Sequence, residues 1–158
     1  MTEQKFCEAA GSYQRLLYHV AYTILRDNRE CEDAVQEALC RAWQKRDTLR
    51  EESAFRFWLV KILTNQCHSM LRKRRAVTTE LSDTLSAPHE DILQNQALHN
   101  AIGQLPGEIR LAIILYYMEG FSIKEIAALS HRPEGTVRNR LFRGRQQLKE
   151  LLGEEMEE

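Results

Sequence analysis

Long apolar runs are missing from this 158-residue chain. None approaches the ~20 residues that a membrane-crossing helix requires. The opening Met1-Thr2-Glu3-Gln4-Lys5 also lacks the basic-then-apolar pattern of a secretory signal, so a cytoplasmic protein without membrane insertion is expected. Glycine and proline are scarce, at 7 and 3, which is too few breakers for a loop-rich or all-β protein. Cysteine is present four times, as Cys7, Cys31, Cys40 and Cys67, but in no CxxC pair, and the five histidines form no zinc-type spacing. Reduced thiols and no metal are therefore expected, and Cys31 falls on an apolar helix stripe where it reads as a small core residue. Cys67 and His68 are adjacent, but neighbours on a helix diverge by about 100° and do not build a metal site. No Walker loop, GxGxxG or nucleophile motif occurs. No catalytic residue, cofactor or small-molecule substrate is expected, and the chain does not read as an enzyme.

What the sequence does contain is helix-forming material, 43% hydrophobic and 28% charged. The fold class expected is all-α. Its net charge of -1 conceals a segregation: residues 1–77 carry 14 Lys and Arg against 10 Asp and Glu, residues 78–96 none against 4. Residues 97–153 carry 8 against 5, and the closing Glu154-Glu155-Met156-Glu157-Glu158 adds four negative charges. Two basic blocks around an acidic stretch suggest two small helical domains, 1–77 and 97–153, that face a polyanion, joined by a flexible acidic linker at 78–96 and followed by an acidic tail at 154–158. Scattered solvated charge is the plainer alternative.

Periodicity supplies the helices. Phe6, Ala9, Ala10, Tyr13, Leu17, Val20 and Ile24 give one continuous apolar face. Asp27 then opens a second helix, with Glu30 placed to complete a capping box, and Cys31, Ala34, Val35, Ala38, Leu39, Ala42 and Trp43 fill its inner stripe. After a polar stretch from Arg46 to Glu52, a third helix runs from Ser53 to about Arg75 with Phe55, Trp58, Leu59, Ile62, Leu63 and Met70 on one side. From Val77 to about Gln94 no periodicity is sustained; helix signals return at Ile92 to Ile102. Pro106 is then expected at the first position of a helix that passes through Ile109, Ala112, Ile113, Tyr116 and Tyr117 and stops at Gly120. Ser122 and Glu125 form a capping box for a short helix, residues 129–132 break it, and a basic helix starts at Pro133 with Val137, Leu141, Gly144, Leu148 and Leu151 inward. Short helix, four-residue turn and longer basic helix make a helix-turn-helix.

Three outward faces carry chemistry. On the last helix Arg138, Asn139, Phe142, Arg143 and Arg145 are left outward, and Arg suits guanine or phosphate while Asn suits adenine, so DNA binding is preferred over a solvated helical hairpin. The second helix turns out Asp33, Gln36, Glu37, Cys40, Arg41 and Gln44. Its acidic front repels phosphate and suits a protein partner, though spacing alone fits a solvated face at least as well. The third helix collects Phe57, Lys61, Thr64, His68 and Arg72 opposite its core side, with Asn65 at the flank and the basic run Arg72-Lys73-Arg74-Arg75 behind. An exposed aromatic among cations is what unstacked bases and their backbone require; packing of Phe57 against another element is the alternative.

Glu32-Asp33-Ala34-Val35-Gln36-Glu37-Ala38-Leu39 through Trp43, Phe55 with Trp58-Leu59 and Asn65, Leu105-Pro106, Glu125-Ile126-Ala127 and Gly135-Thr136-Val137-Arg138-Asn139-Arg140-Leu141 together resemble a bacterial extracytoplasmic-function (ECF) sigma factor of the sigma-70 family. The resemblance covers nearly the whole chain, and the Glu-Asp-(x)2-Gln-Glu block is its more specific part. It implies a dissociable subunit of RNA polymerase, with promoter DNA, core RNA polymerase and an anti-sigma factor as partners. By that resemblance Asp33, Gln36 and Glu37, with Cys40 and Arg41 beside them, face polymerase. It also matches Asn65 to a position at the opened -10 strand, so the surrounding face of Phe57, Lys61, His68 and Arg72 is expected there, and it matches Arg138, Asn139, Phe142 and Arg143, with Thr136 beside them, to the -35 contacts. The loop from Asp47 to Glu52 stays unassigned. A regulator acting without polymerase, or an adaptor that only sequesters an anti-sigma protein, would explain fewer of these faces.

Overall fold

Helix α3 (Asn28–Gln44) shows most directly how this sequence folds, because it has one face of each kind. The Asp27 carboxylate caps it by accepting the N–H groups of Arg29 and Glu30 at 2.9 and 3.1 Å. Cys31, Ala34, Val35, Ala38 and Ala42 are buried at helical spacing. In the computed structural model, which describes residues 1–77 and 96–156 apart from the side chains of Val77 and 154–156, α3 belongs to an all-helical chain; among the described residues there is no strand. The expected acidic linker falls on residues outside those described, except Gln96, and so do the helix signals at 92–95 and the side chains of the tail.

The chain divides into two units, Met1–Ala87 and Pro88–Glu158. In the first, α1 (Glu3–Ser12), α2 (Gln14–Leu25), α3 and α4 (Phe55–Val77) surround a core of Leu17, Val20, Leu25, Val35, Leu59, Val60 and Leu63. Residues 6–24 form two helices and not the single one expected. Tyr13 leaves helical geometry at φ -103° and ψ 10°, and the Ser12 hydroxyl donates to the Ala9 carbonyl at 2.7 Å. Gly11 and Ser12 are weak helix formers, and serine competes for backbone partners. The break frees α1 to lay Phe6 edge-on against Trp43 and Phe55, at 5.2 and 5.8 Å between ring centres.

Two further expectations are corrected here. Glu30 builds no capping box, because its carboxylate is drawn to the Arg74 guanidinium of α4. The same Arg74 donates from Nη2 to the Leu25 carbonyl at 3.1 Å, which gives the open end of α2 a partner. The polar stretch 46–52 folds into two 3-10 turns, Arg46–Thr48 and Glu52–Ala54. Arg46 stacks on the Trp43 ring at 3.9 Å, and Trp58 Nε1 donates to Thr48 Oγ1 at 3.3 Å.

In the second unit, α5 (Gln96–Gly103), α6 (Gly107–Ile113) and α7 (Ile123–Ser130) pack on the long α8 (Glu134–Met156). Pro106 is the cap residue before α6 and not its first helical position, with ψ at 146°. α6 passes into a π-turn, Ile114–Met118, which widens the spiral just before Gly120 at φ 75°. That change of phase turns Tyr116 and Tyr117 outward, where an unbroken helix would have carried them inward, and Phe121 takes the buried place. The capping box of α7 forms as expected: Ser122 Oγ accepts the Glu125 N–H at 3.1 Å, and the Glu125 carboxylate accepts the Ser122 N–H at 2.9 Å. Val137, Leu141 and Gly144 of α8 are buried. A Cβ at Gly144 would stand 2.6 Å from Cγ1 of Ile113 and 3.0 Å from Cγ2 of Ile109, so α8 lies so close to α6 that a side chain here would have to displace Ile113.

Gly144→Val is expected to destabilise the folded chain by ~1 to 3 kcal/mol through overpacking. Loss of the thermal midpoint by circular dichroism checks this, and combining it with Ile113→Ala should cost less than the two changes added together. The thiols give a second check. Burial pushes Cys31 and Cys67 up to about 12, the charge of Cys31 adding to the rise at Cys67, while Cys7 and Cys40 are exposed. A raised thiol pKa leaves almost no thiolate at neutral pH. A chromogenic disulfide reagent should therefore titrate Cys7 and Cys40 quickly in the native protein, and Cys31 and Cys67 only after denaturation.

Candidate protein and nucleic-acid interfaces

The outer face of α3 holds Asp33, Gln36, Glu37, Cys40, Arg41 and Gln44, all exposed and opposite the buried stripe. Glu37 accepts from Arg41 Nε at 3.3 Å one turn along, an exposed pair whose charges solvent screens. The front of the stripe, Glu32, Asp33 and Glu37, is acidic, with the exposed Arg29 one turn before it and Arg41 one turn behind.

On α4 the inward positions are Phe55, Leu59, Val60, Leu63, Thr64 and Cys67. Thr64 therefore leaves the outward group in which spacing placed it. It is fully buried, and its hydroxyl donates to the Lys61 carbonyl at 3.1 Å, so a polar side chain enters the core without an open hydrogen bond. Lys61, Asn65 and Arg72 are exposed; Phe57 and His68 are half-buried. The stripe 57, 61, 65, 68 and 72 thus survives as one face. Its aromatic offers part of a ring and not a fully open one. The basic run behind it is smaller than its sequence suggests, because Arg74 is engaged with Leu25 and Glu30, leaving Arg72, Lys73 and Arg75 on the surface.

α7 and α8 meet through His131 in left-handed backbone at φ 55°, with the Arg132 N–H donating to the Ala127 carbonyl at 3.0 Å. This turn presents the start of α8. Arg138, Asn139, Phe142 and Arg143 are exposed, Phe142 at 52%, and Thr136 is half-buried. An aromatic this open within an arginine-rich stripe is not explained by packing in the unit. Arg138 lies 3.8 Å from Glu134 on its own helix. The other arginines divide by role: Arg140 pairs with Glu108 at 3.2 Å and is mostly covered, and Arg145 Nη1 donates to the Tyr117 hydroxyl at 3.0 Å. Both hold α8 to the preceding elements. Spacing left Arg140 off the outward face but could not separate Arg145 from Arg138 and Arg143, because its partner Tyr117 lies 28 residues away in sequence. Among the described residues no group of His, Cys, Asp and Glu is arranged to hold a metal, and no helix is long and apolar enough to cross a membrane.

Two family descriptions match the chain, Sigma-70 region 2 over residues 10–77 and Sigma-70, region 4 over residues 95–148. The RNA polymerase sigma-H factor of Pseudomonas aeruginosa is 31% identical over 89% of this chain and 82% of its own length. The ECF RNA polymerase sigma factor SigW of Bacillus subtilis is 29% identical, covering 95% and 90%. Among solved structures, the sigma factor RpoE of Bartonella quintana in complex with the anti-sigma factor NepR superposes with a TM-score of 0.78 at 31% identity, covering 95% of this chain and 98% of that one.

Proposed function

This chain belongs to the sigma-70 family as an ECF RNA polymerase sigma factor, and on that premise we propose how its three outward faces divide the work of transcription initiation. A sigma factor has no reaction of its own. Its task is to hold core polymerase and a promoter in one assembly, which calls for surfaces of opposite character on one chain. The observation that carries this reading is that opposition: an exposed stripe led by carboxylates on α3, against exposed stripes of cations, amide and aromatic on α4 and α8.

In this reading Asp33, Gln36, Glu37, Cys40 and Arg41 contact core polymerase, since carboxylates facing a phosphate backbone would be repelled. Arg138, Asn139, Phe142 and Arg143, with Thr136 at the helix start, enter the major groove of the -35 element, where arginine and asparagine read purine edges. Phe57, Lys61, Asn65, His68 and Arg72 hold the strand exposed when the -10 element opens. A base leaving the duplex gains a partial aromatic surface at Phe57, a cation for its phosphate at Lys61 and a polar edge at Asn65. The domain limits 1–77 and 97–153, with linker 78–96 and tail 154–158, form part of the same proposal, as does action in the cytoplasm where polymerase works. An anti-sigma partner is proposed as well, supported by the Bartonella relative, whose structure contains one.

Asp33→Ala with Glu37→Ala should leave the helical dichroism unchanged, because both side chains are exposed. It should weaken capture of core polymerase roughly tenfold, and unaltered capture together with normal transcription would remove α3 from the polymerase interface. Lys61→Ala with Asn65→Ala should preserve polymerase and closed-promoter binding while reducing strand opening several-fold. Permanganate reactivity of unpaired thymines reports that step, and a pre-melted template should restore much of it. Normal opening on duplex DNA would return this face to ordinary solvated surface.

A further inference from the structure

Among the cations and the amide of the α8 face, one side chain has neither charge nor hydrogen bond to offer. Phe142 is 52% exposed. The other large apolar side chains left open among the described residues, Tyr116, Tyr117 and Met118, all belong to the turn Ile114–Met118. Two of these carry hydroxyls, and that of Tyr117 accepts from Arg145. Val137 and Leu141, both buried, fix which side of α8 meets the core. At ~100° per residue Phe142 then falls between Arg138 and Asn139 on the outward side, roughly 40° from the first and 60° from the second.

Gly135 lies on the same line, two turns nearer the start of the helix. A Cβ there would meet nothing within 4 Å, so packing inside the unit does not call for glycine at this position. Glycine weakens a helix relative to alanine. Its effect here is a helix start without a side chain on this line, which another molecule can approach closely. Positions 135, 138, 139 and 142 follow i, i+3, i+4 and i+7, the row with which other major-groove helices meet base edges.

We propose that Phe142 reads the 5-methyl group of a thymine in the -35 element, within one base-pair step of the adenine that Asn139 suits. The proposal deepens the assignment of α8 to the -35 element and rests on it. Donors and acceptors fill the base edges of the major groove, and the thymine methyl is the apolar group among them. A phenylalanine ring cannot pair with phosphate, and paired bases keep their faces stacked, so the methyl is what the groove offers it. Residues three apart on a helix are ~4.5 Å apart along its axis. Successive base pairs are about 3.4 Å apart, which keeps the readings of Asn139 and Phe142 on the same or the next pair. A protein partner would call for apolar neighbours around the ring, whereas Arg138, Asn139 and Arg143 lie beside it on the helix. Contact with the methyl selects thymine over cytosine, which lacks one.

The test uses holoenzyme assembled from the full chain and core polymerase. Its probe is the tightest-binding promoter duplex from a library randomised over the -35 segment. Each thymine of that segment, on either strand, is replaced in turn by uracil, which pairs identically and lacks only the methyl. One replacement should weaken binding about fourfold, the effect of leaving one methyl group unburied. Phe142→Ala should melt with the parent, because the ring is exposed. It should bind the intact probe more weakly, and the same replacement should then cost nothing further. Phe142→Leu should keep part of the discrimination, and Arg138→Ala should weaken both probes while preserving the difference between them. If no uracil replacement matters, or if the fourfold difference persists in Phe142→Ala, the proposal is overturned. Weaker capture of core polymerase by Phe142→Ala in the absence of DNA would overturn it too, by assigning the ring to a protein. The wider assignment fails separately: should Arg138→Ala with Arg143→Ala bind the intact probe as the parent does, α8 does not lie at the -35 element.

Discussion

The long helices of this protein must each satisfy two solvents at once, and that constraint decides most of the rest. α4 buries Phe55, Leu59, Val60, Leu63, Thr64 and Cys67 while leaving Lys61, Asn65 and Arg72 in water. α8 buries Val137, Leu141 and Gly144 and exposes Arg138, Asn139, Phe142 and Arg143. A small unit has little apolar surface to bury, so the inward stripes have to pack closely. Gly144 against Ile113 is the clearest sign of that pressure. It allows α8 to lie close against α6, and with Val137 and Leu141 buried on the same side the remaining positions of α8 are turned outward.

Charge is divided by the same geometry. Arg74, Arg110, Arg140 and Arg145 act inside the fold: Arg74 and Arg110 donate to the carbonyls of Leu25 and Leu105, Arg140 pairs with Glu108, and Arg145 reaches Tyr117. The bonds of Arg74 and Arg110 are partly shielded from water and so contribute more than those of Arg140 and Arg145, which are exposed. Among the cations left exposed are Lys61, Arg72, Lys73 and Arg75 on α4 and Arg138, Arg143 and Lys149 on α8. A chain of net charge -1 can present basic faces because eight of its 23 acidic residues fall in residues 78–96 and 154–158 and four more on α3.

The ability to leave helical geometry at chosen points matters as much as the helices. The break at Tyr13 lets Phe6 reach Trp43 and Phe55. The π-turn at Ile114–Met118 puts Tyr117 where Arg145 can use its hydroxyl. Left-handed backbone at Arg26 and His131 sets the entry to α3 and to α8. Each departure is short, five residues at most, and each precedes a change in the direction of the chain.

The sequence by itself determined the all-helical class, the inner stripe of α3, the capping box at Ser122 and the helix-turn-helix, because these depend on contacts between residues three or four apart. The exposed stripe of α3 was legible for the same reason: once Cys31, Ala34, Val35, Ala38 and Ala42 turn inward, the geometry of one helix leaves Asp33, Gln36 and Glu37 outside. Tertiary structure alone decided that Thr64 is core, that Glu30 serves Arg74 and not its own helix end, and that Arg145 reaches back to Tyr117. Those outcomes turn on partners many residues distant, and periodicity carries no information about which distant element will stand opposite a given face.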